Sequence, residues 1–148
     1  MAKPRRVRRP AELFVSYAHE DHAFGARLTK ALRRHGVETW FAPVRLLAAN
    51  QWHDEIGKAL RRCDWMIVLL SPAAVRSFWV KQELLYAVGN PRYRNRITPL
   101  VWKRCNAARL SWTLPAFQAV SFVRRPFDDA MQELLAAWAA PTRAHRRR

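Results

Sequence analysis

No run of apolar residues in this chain approaches the ~18 to 20 needed for a helix to cross a bilayer, and the first residues hold no apolar segment of the kind a signal peptide requires. The expectation is therefore a cytoplasmic protein without a membrane span. Cysteine is scarce: Cys63 and Cys105 are the two present, and neither has metal-ligand or redox spacing around it. Both read as reduced thiols. Missing too are the G-x-G-x-x-G turn and the P-loop that cradle nucleotide phosphates. No G-x-S-x-G and no Cys/His pair supports a hydrolase triad. Internal repeats and low-complexity tracts are absent as well.

Negative charge is in short supply, with 11 Asp and Glu against 27 Lys and Arg, a formal net of +16. Much of the excess sits at the ends. Residues 1–10 ("MAKPRRVRRP") carry five cations, and residues 143–148 ("RAHRRR") carry four, with no acid in either. Without those nine, 18 cations face 11 acids, a net of +7. Such tails attract polyanions by counterion release without reading sequence. They read either as solvated ends or as sites for RNA, DNA or an acidic partner. What is present in abundance is core-forming material: half of the 148 residues are hydrophobic and seven are Trp. This suits one folded domain, expected over residues 11–140 between basic tails at 1–10 and 141–148.

Between the tails, apolar runs with strand character alternate with amphipathic stretches. "ELFVSYA" (12–18) reads as a buried strand, and a helix follows from Asp21, with Phe24, Leu28 and Leu32 four apart and a stop at Gly36. "VETWFAP" (37–43) is a second strand closed by Pro43. The loop "VRLLAANQ" then leads to a helix, "WHDEIGKALRRC". "WMIVLLSP" (65–72), the most apolar run, requires cover on both faces. A third helix runs over 78–88, a fourth strand over 96–102, a weak fifth strand over 119–122, and "PFDDAMQELLAAW" is a closing helix. Such alternation implies a flavodoxin-like α/β fold: a five-stranded parallel sheet of order 2-1-3-4-5 with helices on both faces. Ligands then bind outside the carboxyl ends of the strands, at the switch between strands one and three.

The third helix places Glu83 four residues after Trp79, so the two side chains stand one above the other beside the apolar stripe of Val80, Leu84, Ala87 and Val88. Ser77 is positioned as its N-cap. From spacing alone, Ser77-x-Trp79-x-x-x-Glu83 reads first as a capped helix with Trp79 over the sheet edge and an exposed acid, the pattern being too short to carry a site by itself. His19 and His22, near Glu20 and Asp21, straddle a helix start and lack a third ligand at defined spacing, which reads as capping and solvated charge.

In order and spacing, "LFVSYAHEDHAF", "VETWFAPVRLLAANQWHDEIGKAL", "DWMIVLLSPAAVRSFWVKQEL" and "RITPLV" resemble the Toll/interleukin-1 receptor (TIR) domain family, bacterial type, across residues 11–140. The resemblance implies a loop after strand two through which domains assemble. It also implies that Glu83, four residues after Trp79, is the glutamate that active members require to cleave NAD+ at the nicotinamide–ribose bond. A carboxylate there stabilises the oxocarbenium-like ribose, and Trp79 forms an aromatic wall. At an unperturbed pKa of about 4.3 the acid is expected to be ionised near neutral pH. NAD+ is then a substrate and no separate cofactor is implied. Candidate contacts are Ser16 and Tyr17 after strand one, Phe41 and Arg45 after strand two, and Ser71 and Ser77, with Arg45 open to pairing with phosphate or to solvation and Phe41 read as core ahead of ligand wall.

Two positions depart from the family pattern. Ala18 stands where some active relatives have a basic residue, and Ala49 stands where many have Gly. Three functional readings remain open. One is an NAD+ glycohydrolase or cyclase activated by self-association, in signalling or antiphage defence. The others are a non-catalytic scaffold assembling by TIR–TIR contacts, and sequence-blind polyanion binding by the tails.

Overall fold

The structure is a computed structural model that describes residues 9–42 and 49–139. Residues 1–8 and 140–148, which hold most of the basic ends, and Pro43 and Arg45 lie outside these residues. Five parallel strands, β1 Leu13–Ser16, β2 Thr39–Trp40, β3 Trp65–Leu70, β4 Ile97–Val101 and β5 Val120–Ser121, form one sheet in the order β2-β1-β3-β4-β5. The order is the one expected.

Strand periodicity sorts the core into two layers. Phe14, Met66, Val68 and Leu70 face one side, packing with Ala59 and Leu60 of α2 (Ala49–Arg62) and with Val80 and Leu84 of α4 (Phe78–Val88). Leu13, Val15, Ile67 and Leu69 face the other, against Leu28 and Leu32 of α1 (His22–Arg34) and Met131, Leu134 and Trp138 of α5 (Phe127–Ala139). All six residues of β3 are buried, as a strand covered on both faces must be. Each such side chain contributes ~1.5–3 kcal/mol of burial, so this strand anchors both layers.

The expected boundaries shift where side-chain bonds intervene. β3 stops at Leu70 because Ser71 turns the chain into a short helix, α3 (Pro72–Val75), which periodicity did not reveal. The first helix begins at His22, after a 3-10 turn at His19–Asp21, and the Asp21 carboxylate does not cap it. That carboxylate instead accepts a hydrogen bond from the Ser71 hydroxyl. β2 is two residues long where seven were expected. α2 starts at Ala49, ahead of the expected start at Trp52, so Asp54 and Glu55 fall beyond its first turn. Gly36, at φ +78, adopts the left-handed backbone that ends the α1 segment.

Candidate functional site

A cleft of about 240 Å³ opens beyond the carboxyl ends of β1, β2 and β3, beside the switch between β1 and β3. Helix α4 supplies its acid. Ser77 accepts a hydrogen bond from the Val80 N–H at 3.2 Å and fixes where the helix begins. From that start, Trp79 and Glu83 project about 40° apart around the axis, with Glu83 nearer the sheet. Their exposures differ accordingly: the indole is 45% exposed and the carboxyl 9%. Both line the cleft.

The Ser16 hydroxyl, at the last residue of β1, donates to Glu83 Oε1 at 3.2 Å. Burial is the dominant influence on the carboxyl and raises its pKa from 4.5 to about 8, while the Ser16 hydrogen bond acts in the opposite direction. The expectation of an acid ionised near neutral pH is therefore corrected. In the protein alone, Glu83 holds its proton at pH 7, because one hydroxyl does not replace the hydration lost by a carboxylate.

Tyr17 lines the cleft one residue beyond Ser16. Its hydroxyl donates to the Ala42 carbonyl at 2.9 Å, tying the end of β1 to the segment after β2. Burial, and secondarily the charge of Glu83, push this phenol up to about 12, so it stays a neutral donor. Phe41 stacks on Tyr17 with ring centroids 4.7 Å apart, but it belongs to the opposite core layer and does not line the cleft. Its role is to back Tyr17. That packing exists because residue 25 is glycine: a Cβ there would stand 2.6 Å from Phe41 Cε2.

Ser71, expected as a ligand contact, is not among the residues that line the cleft. It is fully buried, donates to Asp21 and accepts from the Ala74 N–H at 3.0 Å. Ser16 is likewise fully buried and reaches the cleft only through Glu83. Ser77 does line the cleft, as does Tyr17, while Arg45 lies outside the described residues. Ala18, the departure after Ser-Tyr, packs into the core beside Phe14. Cys63 is buried and Cys105 partly so, both as free thiols.

Sequence reasoning missed several walls of the site. Trp40 lines the cleft and stacks on Phe14 at 5.0 Å. Alternation along β2 carries the signal, since a Phe41 turned to one layer places Trp40 on the other. Trp52 and Ile56 of α2 form the facing wall, and their four-residue spacing was legible. His53, on the same helix, packs against Trp79 at 5.7 Å. His19, Glu20 and His22 line the rim as single side chains, and Asp21, buried against Ser71, does not join them. Arg76, between α3 and α4, is the guanidinium among the lining residues.

Chemically, the described residues offer a proton-holding carboxyl at the base of an aromatic cleft, with a neutral phenol beside it and Glu20 and Arg76 at the edge. This arrangement suits a sugar-sized group that develops positive charge.

Comparison with known proteins agrees with this architecture. Over 127 residues the chain is 26% identical to 2′ cyclic ADP-D-ribose synthase BtTIR of Bacteroides thetaiotaomicron, covering 83% of this chain and 44% of that protein. Over 102 residues it is 29% identical to NAD(+) hydrolase TcpC of Escherichia coli O6:H1 (strain CFT073), covering 68% of this chain and 33% of that one. The chain thus spans less than half the length of these curated relatives. The crystal structure of the TIR domain of the Toll-related receptor TRR-2 from Hydra magnipapillata superposes with a TM-score of 0.69 at 17% identity, over 86% of this chain and 98% of that one. The family model described as "TIR domain" matches residues 13–135. With that match running from β1 into α5, and the sheet order and switch-point cleft to support it, the chain belongs to the TIR domain family.

Proposed function

We propose that this TIR domain cleaves NAD+ at the nicotinamide–ribose bond, with Glu83 as the catalytic carboxylate. The observation that carries the reading is a buried carboxyl, held by Ser16, at the base of an aromatic cleft at the switch point of the sheet. The names of the two relatives, a cyclic ADP-ribose synthase and an NAD+ hydrolase, support the same chemistry at low identity.

The bond between C1′ and the pyridinium nitrogen breaks with its electron pair going to nitrogen, so neutral nicotinamide departs and positive charge spreads over C1′ and the ring oxygen. Glu83 stabilises that charge. A carboxyl that holds its proton in the protein alone must first lose it. The cationic nicotinamide ring arriving beside it favours the charged form, so substrate entry and proton release are coupled. Once ionised, a group with a pKa near 8 is a competent base close to neutral pH: it takes the proton from a water that attacks C1′, giving ADP-ribose. If an internal nucleophile of the substrate attacks first, the product is cyclic. Trp79 and Trp40 flank the sugar and limit the access of bulk water.

The cleft, at about 240 Å³, lies below the ~300–1,000 Å³ of sites that enclose a drug-sized ligand, so it takes the nicotinamide riboside end and leaves the rest of the dinucleotide outside. Self-association, in which a neighbouring copy completes the site, is part of the proposal. Its setting would be cytoplasmic signalling or antiphage defence. The test incubates the purified chain with NAD+, free and tethered on a crowded surface, and resolves products by chromatography. Nicotinamide with ADP-ribose or a cyclic isomer is expected, more on the surface than in solution. TIR–TIR assembly without nicotinamide release under either condition would favour the scaffold reading.

A further inference from the structure

The short helix α3 is a partition between two cavities. Ala73 faces the cleft, while Pro72 and Val75 face a second cavity of about 320 Å³ whose other walls are Cys105, Asn106 and Arg109. Arg76, at the end of α3, lines both. Among the described residues neither Arg76 nor Arg109 is paired with a carboxylate, and no acidic side chain lines the second cavity. The charge of Asp21 is felt at Cys105, but its carboxylate is buried and accepts from Ser71.

We propose that this second cavity receives the diphosphate of the dinucleotide whose nicotinamide ribose lies against Glu83, with Arg76 and Arg109 as its cationic partners. The inference rests on the NAD+ reading above and extends it to the other half of the substrate. Three observations carry it. The first cleft, at about 240 Å³, takes the nicotinamide riboside end in the reading above, which leaves the diphosphate to be placed beyond it. Among the described residues, the guanidinium on its wall, Arg76, stands on the boundary with the second cavity. That cavity joins two planar cations to an amide and an apolar wall, and guanidinium forks match phosphate oxygens. The chain has neither a glycine-rich phosphate turn nor a P-loop, so the diphosphate has to be neutralised by side chains of this kind.

The probe is ADP, with binding measured by calorimetry on the full chain at fixed salt. Arg109 is exposed, so Arg109→Ala leaves the core intact. The substitution is expected to weaken ADP about tenfold, as for loss of a charge-assisted hydrogen bond, and Arg109→Lys is expected to recover part of the loss. Lys103→Ala, which removes a cation outside the cavity, serves as the charge-matched control and should stay within about twofold of the parent. NAD+ should displace ADP. Equal ADP affinity in the parent and Arg109→Ala, or ADP that NAD+ does not displace, overturns the inference. Binding is read without turnover. A chain that does not cleave NAD+, yet binds ADP through Arg109 and exchanges it for NAD+, therefore keeps this inference and loses the catalytic reading. A chain that cleaves NAD+ with the same KM in the parent and Arg109→Ala keeps the catalytic reading and loses this inference.

Discussion

Replacing Glu83 with glutamine should stabilise the folded protein, and by an amount that grows with pH. The carboxyl pKa is raised from its ordinary 4.5 to about 8 in the fold, so the folded state binds the proton more tightly than the unfolded chain. The sign follows from linkage: with the folded pKa raised, stability is fully present below pH 4.5 and is lost as pH rises through 8. At about 1.4 kcal/mol per pH unit, the loss is on the order of 3 kcal/mol at pH 7 and 5 kcal/mol above pH 8. Glutamine is neutral at every pH, nearly the same shape, and can still accept from the Ser16 hydroxyl. It therefore removes the penalty and keeps the bond. For a domain of this size each kcal/mol is worth about 2–4 °C in Tm. Melting curves for the parent and Glu83→Gln between pH 5 and 9 should diverge as pH rises, with the variant higher by roughly 6–12 °C at pH 7. Parallel Tm profiles would refute the argument that burial controls this carboxyl.

Three further outcomes follow from the same site. If the ionised carboxylate does the work, kcat/KM for NAD+ should rise about tenfold per pH unit below neutrality and level off above pH 8, as a steady-state pH series would show. Ser16→Ala removes the one side chain that favours the charged form of Glu83. Activity at pH 7 should fall about fivefold, for a loss of ~1 kcal/mol, and recover by pH 9, a recovery that simple misfolding would not produce. Gly25→Ala pushes a methyl group to 2.6 Å from the Phe41 ring and should cost about 1–3 kcal/mol in urea unfolding, with displacement of the Tyr17 stack.

The sheet was legible because its central strand is an uninterrupted apolar run and its helices repeat at four-residue spacing, signals that local periodicity carries directly. The Ser77, Trp79 and Glu83 set was legible for the same reason: helix register fixes which side chains share a face. Long-range bonds were not. Nothing in the order of residues says that Ser71, which caps α3 through the Ala74 N–H, would also donate its hydroxyl to Asp21, fifty positions away. The charge state of Glu83 was misjudged because burial depends on how β1 and α4 meet, which spacing along one helix does not determine. Trp40 was overlooked in favour of its neighbour Phe41, although alternation along the strand allows only one of the pair to face the cleft.

The most direct test of the central claim is the rate of nicotinamide release from NAD+ by the parent and by Glu83→Gln, compared at pH 8 under the condition that gives the parent its highest turnover. The account expects the variant, folded and at least as stable as the parent, to lose activity by a factor of about 100 or more, the scale on which a positioned charge acts in a transition state. Equal rates in the two proteins would contradict it.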